Sequence, residues 1–312
     1  MRSAALVGNG AALSAAVLFG ASVVATRIAV REIPPLSLAV LRFGAGGALL
    51  LLCLLAVAPG LLRVAWRDVP FLLLLGAILF SVFPLTFNAG LQLTPASRGA
   101  LMLATMPLWS AVLAHATRRE RLRVRQVGGI VLTFVGVGIV LAEQDLTWEA
   151  TGRMLAGDGL MLLTAVCGAV YSVLAPRALS RYRAVTVTAY AMVLGTLLLL
   201  PAAIGEGLLG IVARLDETAI VLVLFLGIVG GALGYSLITF ALTRLTPTQV
   251  VVYINFNPIV AAVFAAILLD ERLTEAFVAG LGAVIGGVLL VNWPARRAPG
   301  PEGLAVFPVG DA

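Results

Sequence analysis

Leu269-Asp270-Glu271-Arg272-Leu273 spells LDERL, and Arg119-Glu120-Arg121-Leu122 spells RERL. The two ERL triplets stand 151 residues apart in a chain of 312. Each follows a long apolar run headed by Thr-Pro, at Thr94-Pro95 and Thr246-Pro247, and each precedes a Gly-rich apolar run. Laid over one another, the two stretches also match Pro107 with Pro258, one residue out of step. Gly129 and Gly136 fall on Gly280 and Gly287, and upstream Gly76 falls on Gly227. A slightly shorter offset places Gly20 on Gly168 and Gly47 on Gly195. The order is kept across both halves, so the chain reads as one unit written twice.

The setting of that unit is lipid. The residues are 61% hydrophobic and 12% charged, against about half and roughly a quarter in soluble domains. Apolar runs of about 20 residues read as membrane spans. Such runs fall at 8–28, 36–58, 70–91, 95–116, 126–142, 157–176, 186–204, 219–241, 247–269 and 276–293. Lipid cannot satisfy a bare backbone, and the runs lack two-residue alternation, so they are helices rather than barrel strands. The expectation is an all-α membrane protein of ten transmembrane helices. Its parts are a first repeat at 8–142, a connector at 143–156, a second repeat at 157–293 and a disordered tail at 294–312. The N-terminal apolar stretch is long for a signal peptide and is read as a retained first helix.

Five spans per half is an odd number, so the second copy enters the bilayer from the opposite side. Inverted repeats of this kind are a recurring basis of alternating access. All 21 basic residues are Arg. With both termini cytoplasmic, 14 of them fall inside, five at positions 118, 119, 121, 123 and 125. Six fall outside, at 27, 31, 98, 153, 214 and 272, and Arg42 remains within a span. The excess sets the orientation. The net charge of +6 does not point to nucleic acid, because no basic domain stands outside the spans.

The Thr-Pro starts, Pro107 and Pro258, the ERL triplets and the ten runs together resemble the EamA family of the drug/metabolite transporter superfamily, over about residues 8–293. The resemblance implies a carrier of two inverted five-helix repeats. It also implies a central cavity bounded by the first, third, fourth, sixth, eighth and ninth runs. Many members export amino acids or other metabolites.

Within that frame the polar residues of those runs become candidates. Tyr253 and Asn257 stand just before Pro258, four apart and so on one helical face. Tyr235 and Thr239 lie in the eighth run, Tyr171 in the sixth and Thr105 in the fourth. These six and Arg42 are the expected substrate-binding set. Packing alone would also account for any one of them. Arg42 could snorkel, hold freed carbonyls or bind a substrate carboxylate. Ser22, Thr26, Ser81, Thr86, Asn88, Ser172 and Ser236 are further polar groups on the same runs. Met102 and Met106 align with Tyr253 and Asn257 and could form a soft wall. Thr94 and Thr246 are expected to cap the helices that follow them. Glu120 and Glu271 read as lids or flanks rather than a proton relay.

The absence of Lys excludes a GxxxxGK[ST] loop. HExxH, GxSxG and His or Cys clusters are absent too, and Cys53 and Cys167 read as packing residues. No cofactor or metal is expected. The expected function is secondary transport of a small organic solute, by export of amino acids or related metabolites. A channel-like facilitator and a membrane-embedded enzyme are the alternatives. The expected partners are the bilayer and the solute, in a monomer or homodimer.

Overall fold

A computed structural model describes residues 2–116, 124–142, 148–242, 253 and 256–292. Glu120, Arg121, Leu122, Thr246, Pro247 and the tail lie outside the described residues, as do residues 143–147 of the expected connector. The described chain is all helical. Helix α1 is Arg2–Ala29 and α2 is Pro35–Val57. Helix α3 runs over Trp66–Leu93, and Ala96–Leu103 and Met106–Ala116 are α4 and α5. Val124–Ala142 is α6, Trp148–Leu174 is α7 and Ala184–Gly205 is α8. Helix α9 is continuous through Glu217–Leu224, Phe225–Leu233 and Gly234–Leu242. Asn257–Leu269 is α10 and Glu275–Asn292 is α11.

The expectation of ten membrane-crossing helices is corrected here. Six described helices are long and apolar enough to span: Leu6–Ala29, Pro35–Val57, Trp66–Leu93, Gly152–Leu179, Ala184–Gly205 and Glu217–Ile238. The apolar segments Val124–Val140, Asn257–Leu269 and Glu275–Leu290 are shorter. An unbroken apolar run is not an unbroken helix. Run 95–116 is interrupted by a turn at Ala104 and Thr105. Pro107 has no N–H and its ring clashes with the carbonyl four residues back. Thr105 closes the break locally, its Oγ1 donating to the Met102 carbonyl at 2.7 Å and accepting from Trp109 Nε1 at 3.2 Å. In run 247–269 the described helix starts only at Asn257, beside Pro258, with Phe256 in a turn.

The two halves nevertheless pack as counterparts. Gly76 lies against Gly195 and the Ala191 carbonyl, too close for any side chain. Its sequence counterpart Gly227 lies against Gly46 and the Arg42 carbonyl, next to the counterpart of Gly195. Gly136 meets Gly280 where α6 crosses α11, and Gly287 meets Gly129. Each contact has its image under exchange of the halves, an approximate two-fold relation. The image extends to the backbone: α3 widens into a π-helical stretch over Ala77–Val82, directly after Gly76, and α9 does so over Phe225–Leu233, around Gly227.

The core is apolar, centred on Phe87, Leu91, Leu101 and Met161 in one region and Phe43, Leu72, Phe80 and Met192 in another. The outside is apolar as well: Leu52, Val135, Leu198 and Ile267 are among many exposed aliphatic side chains. Such a surface suits lipid rather than water.

The LDERL stretch ends α10 and ties the halves together. Asp270 adopts a left-handed conformation (φ 53°) that terminates the helix, one that Asp tolerates better than most residues. Glu271 then reaches the start of α4. It accepts from the Ala96 and Ser97 amides at 2.7 and 3.1 Å, and from Ser97 Oγ at 2.6 Å. Thr94 does not cap that helix, contrary to expectation. It donates instead to Asp158 at 2.7 Å.

Candidate functional site

Residues from both halves enclose a cavity of about 250 Å³. Helix α1 contributes Phe19, Ser22 and Val23, and α2 contributes Arg42 and Phe43. The π-helical stretch of α3 places Leu79 on the wall, followed by Phe83, Pro84 and Phe87. The break between α4 and α5 adds Ala104, Met106 and Pro107. The second half supplies Gly168, Tyr171 and Ser172 from α7, Gly230, Tyr235 and Ile238 from α9, and Asn257 and Pro258 from α10. The wall is mainly aromatic and aliphatic, with few polar groups, as is usual for a small-molecule site.

The repeat explains why the cavity opens where it does. The Met106 side chain packs on Gly168, while the backbone carbonyl of its counterpart Asn257, with the Val260 side chain, lies against Gly20, the counterpart of Gly168. A glycine on α1 and another on α7 thus receive the two proline-broken segments. A helix break frees backbone groups and redirects side chains, and π-helical turns occur frequently at functional sites.

Arg42 is the most informative residue on the wall. It is 6% exposed, so it does not snorkel to a surface. Its Nη1 donates to Thr26 Oγ1 at 3.1 Å, and its guanidinium carbon sits 4.6 Å from the Phe43 ring centre. Its Nε is buried and has no hydrogen-bond partner among the described residues. Neither Arg98–Asp158 nor Arg181–Asp68 involves it, and among the described residues Arg42 forms no ion pair. A buried cation without a counter-ion is costly, which makes Arg42 a candidate functional residue. Tyr235 lies within electrostatic reach of Arg42 and of Tyr171. Its ring is held edge-on by Phe19 and Phe80, with centroids at 5.4 and 5.7 Å. Asn257 Oδ1 is a second buried polar atom without a partner among the described residues.

Of the seven expected site residues, Arg42, Tyr171, Tyr235 and Asn257 come together on this wall. Tyr253 instead packs against Ala11, Ala12 and Ala241. The turn at Phe256 takes away the continuous helix on which its shared face with Asn257 was argued. Thr105 is fully buried and engaged within the helix break. Thr239 lies on α9 with its side chain outside the described residues. Ser22 and Ser172 join the wall. Ser81, Thr86 and Asn88 are buried against neighbours: Ser81 donates to the Gly195 carbonyl, Thr86 meets Thr164, and Asn88 donates to the Pro35 carbonyl. Met106 lines the cavity, whereas Met102 is fully buried in the core. Tyr190, the counterpart of Arg42, donates to the Leu62 carbonyl at 2.7 Å.

Sequence reading missed a buried ion pair, Arg98–Asp158. Arg98 is counted among the residues outside the spans, yet Arg98 and Asp158 are 6% and 1% exposed. Their spacing in sequence carries no signal for the contact.

The model of the EamA-like transporter family matches residues 6–142 and again 155–293. The chain belongs to this family. Among its relatives, a "Probable amino-acid metabolite efflux pump" of Salmonella typhimurium (strain LT2) is 30% identical over 291 residues, covering 89% of this chain and 92% of that protein. An "Uncharacterized transporter" of Archaeoglobus fulgidus is 28% identical, covering 88% and 94%. A "Probable terminal-alkyne amino-acid exporter" of Streptantibioticus cattleyicolor is 29% identical, covering 76% and 79%. One crystal structure matches with a TM-score of 0.63 at 20% identity, covering 93% of this chain and 96% of that one, which shows the fold. An EamA family member of this architecture is a multi-pass membrane protein and a secondary transporter of a small molecule, not an enzyme.

Proposed function

We propose that this protein exports amino acids or closely related metabolites that carry an apolar part, by alternating access through the cavity around Arg42. The observation that carries the reading is the buried guanidinium of Arg42, whose Nε has no hydrogen-bond partner among the described residues, on a wall that is otherwise mostly apolar. A carboxylate would neutralise it through charge-assisted hydrogen bonds, and the aromatic wall would hold the rest of the solute. A multiply charged phosphate is a poor fit, because Arg42 is the only basic residue among the described residues that line the cavity. The approximate two-fold relation between the halves supports exchange between two mirrored conformations. The names of the Salmonella and Streptantibioticus relatives agree in solute class and direction. The Arg distribution supports insertion in a cell inner or plasma membrane with both termini cytoplasmic.

The test is purified protein in liposomes, screened by counterflow against amino acids, nucleosides and sugar phosphates. The expected result is saturable, trans-stimulated exchange of an amino acid. Preference for a sugar phosphate would overturn the cargo assignment, and non-saturating flux would indicate a channel.

A further inference from the structure

Two buried polar atoms on the cavity wall lack partners among the described residues, and they are chemically opposite. Arg42 Nε is a charged donor, and Asn257 Oδ1 is an acceptor. Their residues also meet α1 at different depths. Arg42 is fixed beside Thr26 by its hydrogen bond. The Asn257 backbone lies beside Gly20, where a Cβ would stand 3.0 Å from the Asn257 carbonyl oxygen. Six residues of helix separate these levels, on the order of 9 Å at about 1.5 Å per residue. Phe19, Phe83, Phe87 and Tyr235 line the space along which a solute would lie.

We infer that the solute is a monocarboxylate with a hydrogen-bond donor at its far end, its carboxylate on Arg42, its apolar body along the aromatic wall and its distal O–H or N–H on Asn257. Planar, bidentate pairing suits a carboxylate at a guanidinium edge. The distal group need not be charged, because Asn257 offers a neutral dipole. A site that presents a buried acceptor discriminates against solutes that leave it unpaired. This inference rests on the carrier reading for its cargo, but it concerns binding geometry and is tested by binding.

The experiment uses the detergent-purified full chain, with ligand affinity measured directly and counterflow measured in parallel. The probes are 3-phenylpropionate, 3-(4-hydroxyphenyl)propionate, tyrosine and tyrosinamide. In the wild type the hydroxylated propionate is expected to bind about tenfold more tightly than the unhydroxylated one, the scale of one well-made hydrogen bond. Tyrosine is expected to exceed tyrosinamide by at least that factor. Asn257→Leu should abolish the preference for the hydroxyl while keeping that for the carboxylate. Arg42→Gln should do the reverse. These opposite outcomes cannot arise from a general folding defect. A hydroxyl preference that persists in Asn257→Leu, equal binding of tyrosine and tyrosinamide by the wild type, or no binding of any probe overturns the inference. The expected binding pattern without counterflow would leave the inference standing and overturn the carrier reading.

Discussion

Arg98 donates both Nε and Nη2 to a single carboxylate oxygen of Asp158, at 2.9 and 2.8 Å, with both side chains almost wholly buried. The other oxygen accepts from Thr94, and Arg98 Nη1 donates to the Val140 carbonyl at 2.6 Å. One carboxylate on α7 therefore joins the loop between α3 and α4 to α4 itself, and through Arg98 to α6. Removing one partner of a buried pair costs about 3–5 kcal/mol, whereas replacing both by apolar groups is often neutral. Asp158→Ala is expected to lower the melting temperature of the purified protein sharply. Arg98→Leu with Asp158→Leu is expected to recover most of it. A double variant as unstable as the single one would show that the pair contributes more than mutual neutralisation.

Glu271 caps the first turn of α4 from the other half of the chain. Capping groups contribute about 0.5–2 kcal/mol, and a negative charge at a helix N-terminus adds to this. Glu271→Ala should therefore destabilise the protein more than Ser97→Ala, which removes the hydroxyl contact and leaves both amide contacts in place. Thermal melts of the two variants make the comparison. Equal or reversed losses would contradict the capping role.

Gly227 lies against the Arg42 carbonyl with no room for a Cβ, whereas a Cβ on Gly138 would meet nothing within 4 Å. Gly227→Val is expected to cost about 1–3 kcal/mol or more through overpacking, and Gly138→Val to stay near neutral. Yield and melting temperature report the difference. A well-tolerated valine at position 227 would mean that α2 and α9 do not cross as described.

Much of this arrangement was legible in the sequence, and the reason is the repeat. Gly76 and Gly227 were matched by sequence alone, and each marks a helix crossing in the structure. Arg42 was legible because a charge inside an apolar run has few benign explanations. Helix continuity was not legible. Apolarity records the solvent around a run, and lipid surrounds a broken helix as it does a whole one. Pro107 signalled the break, but its length and the turn at Thr105 depend on how Trp109 and Met102 satisfy it. The same limit displaced Tyr253, whose shared face with Asn257 assumed a helix that turns at Phe256. The π-helical stretches of α3 and α9 leave no mark in residue pattern, although they carry Leu79 and Gly230 to the cavity.

The Arg distribution predicts a topology that can be checked. A reporter active only in the cytoplasm should work at the C-terminus and be silent when fused after Asp145. Activity at both places would mean that the two halves enter the membrane from the same side.

The central claim is that Arg42 binds the carboxylate of the transported solute, and counterflow by Arg42 variants at equal protein level tests it most directly. Arg42→Gln is expected to lower kcat/KM for the amino acid by at least about tenfold, since each 1.4 kcal/mol of lost interaction is tenfold. Arg42→Lys should fall between the two, because an ammonium keeps the charge but lacks the planar fork. Wild-type counterflow by Arg42→Gln would contradict the account.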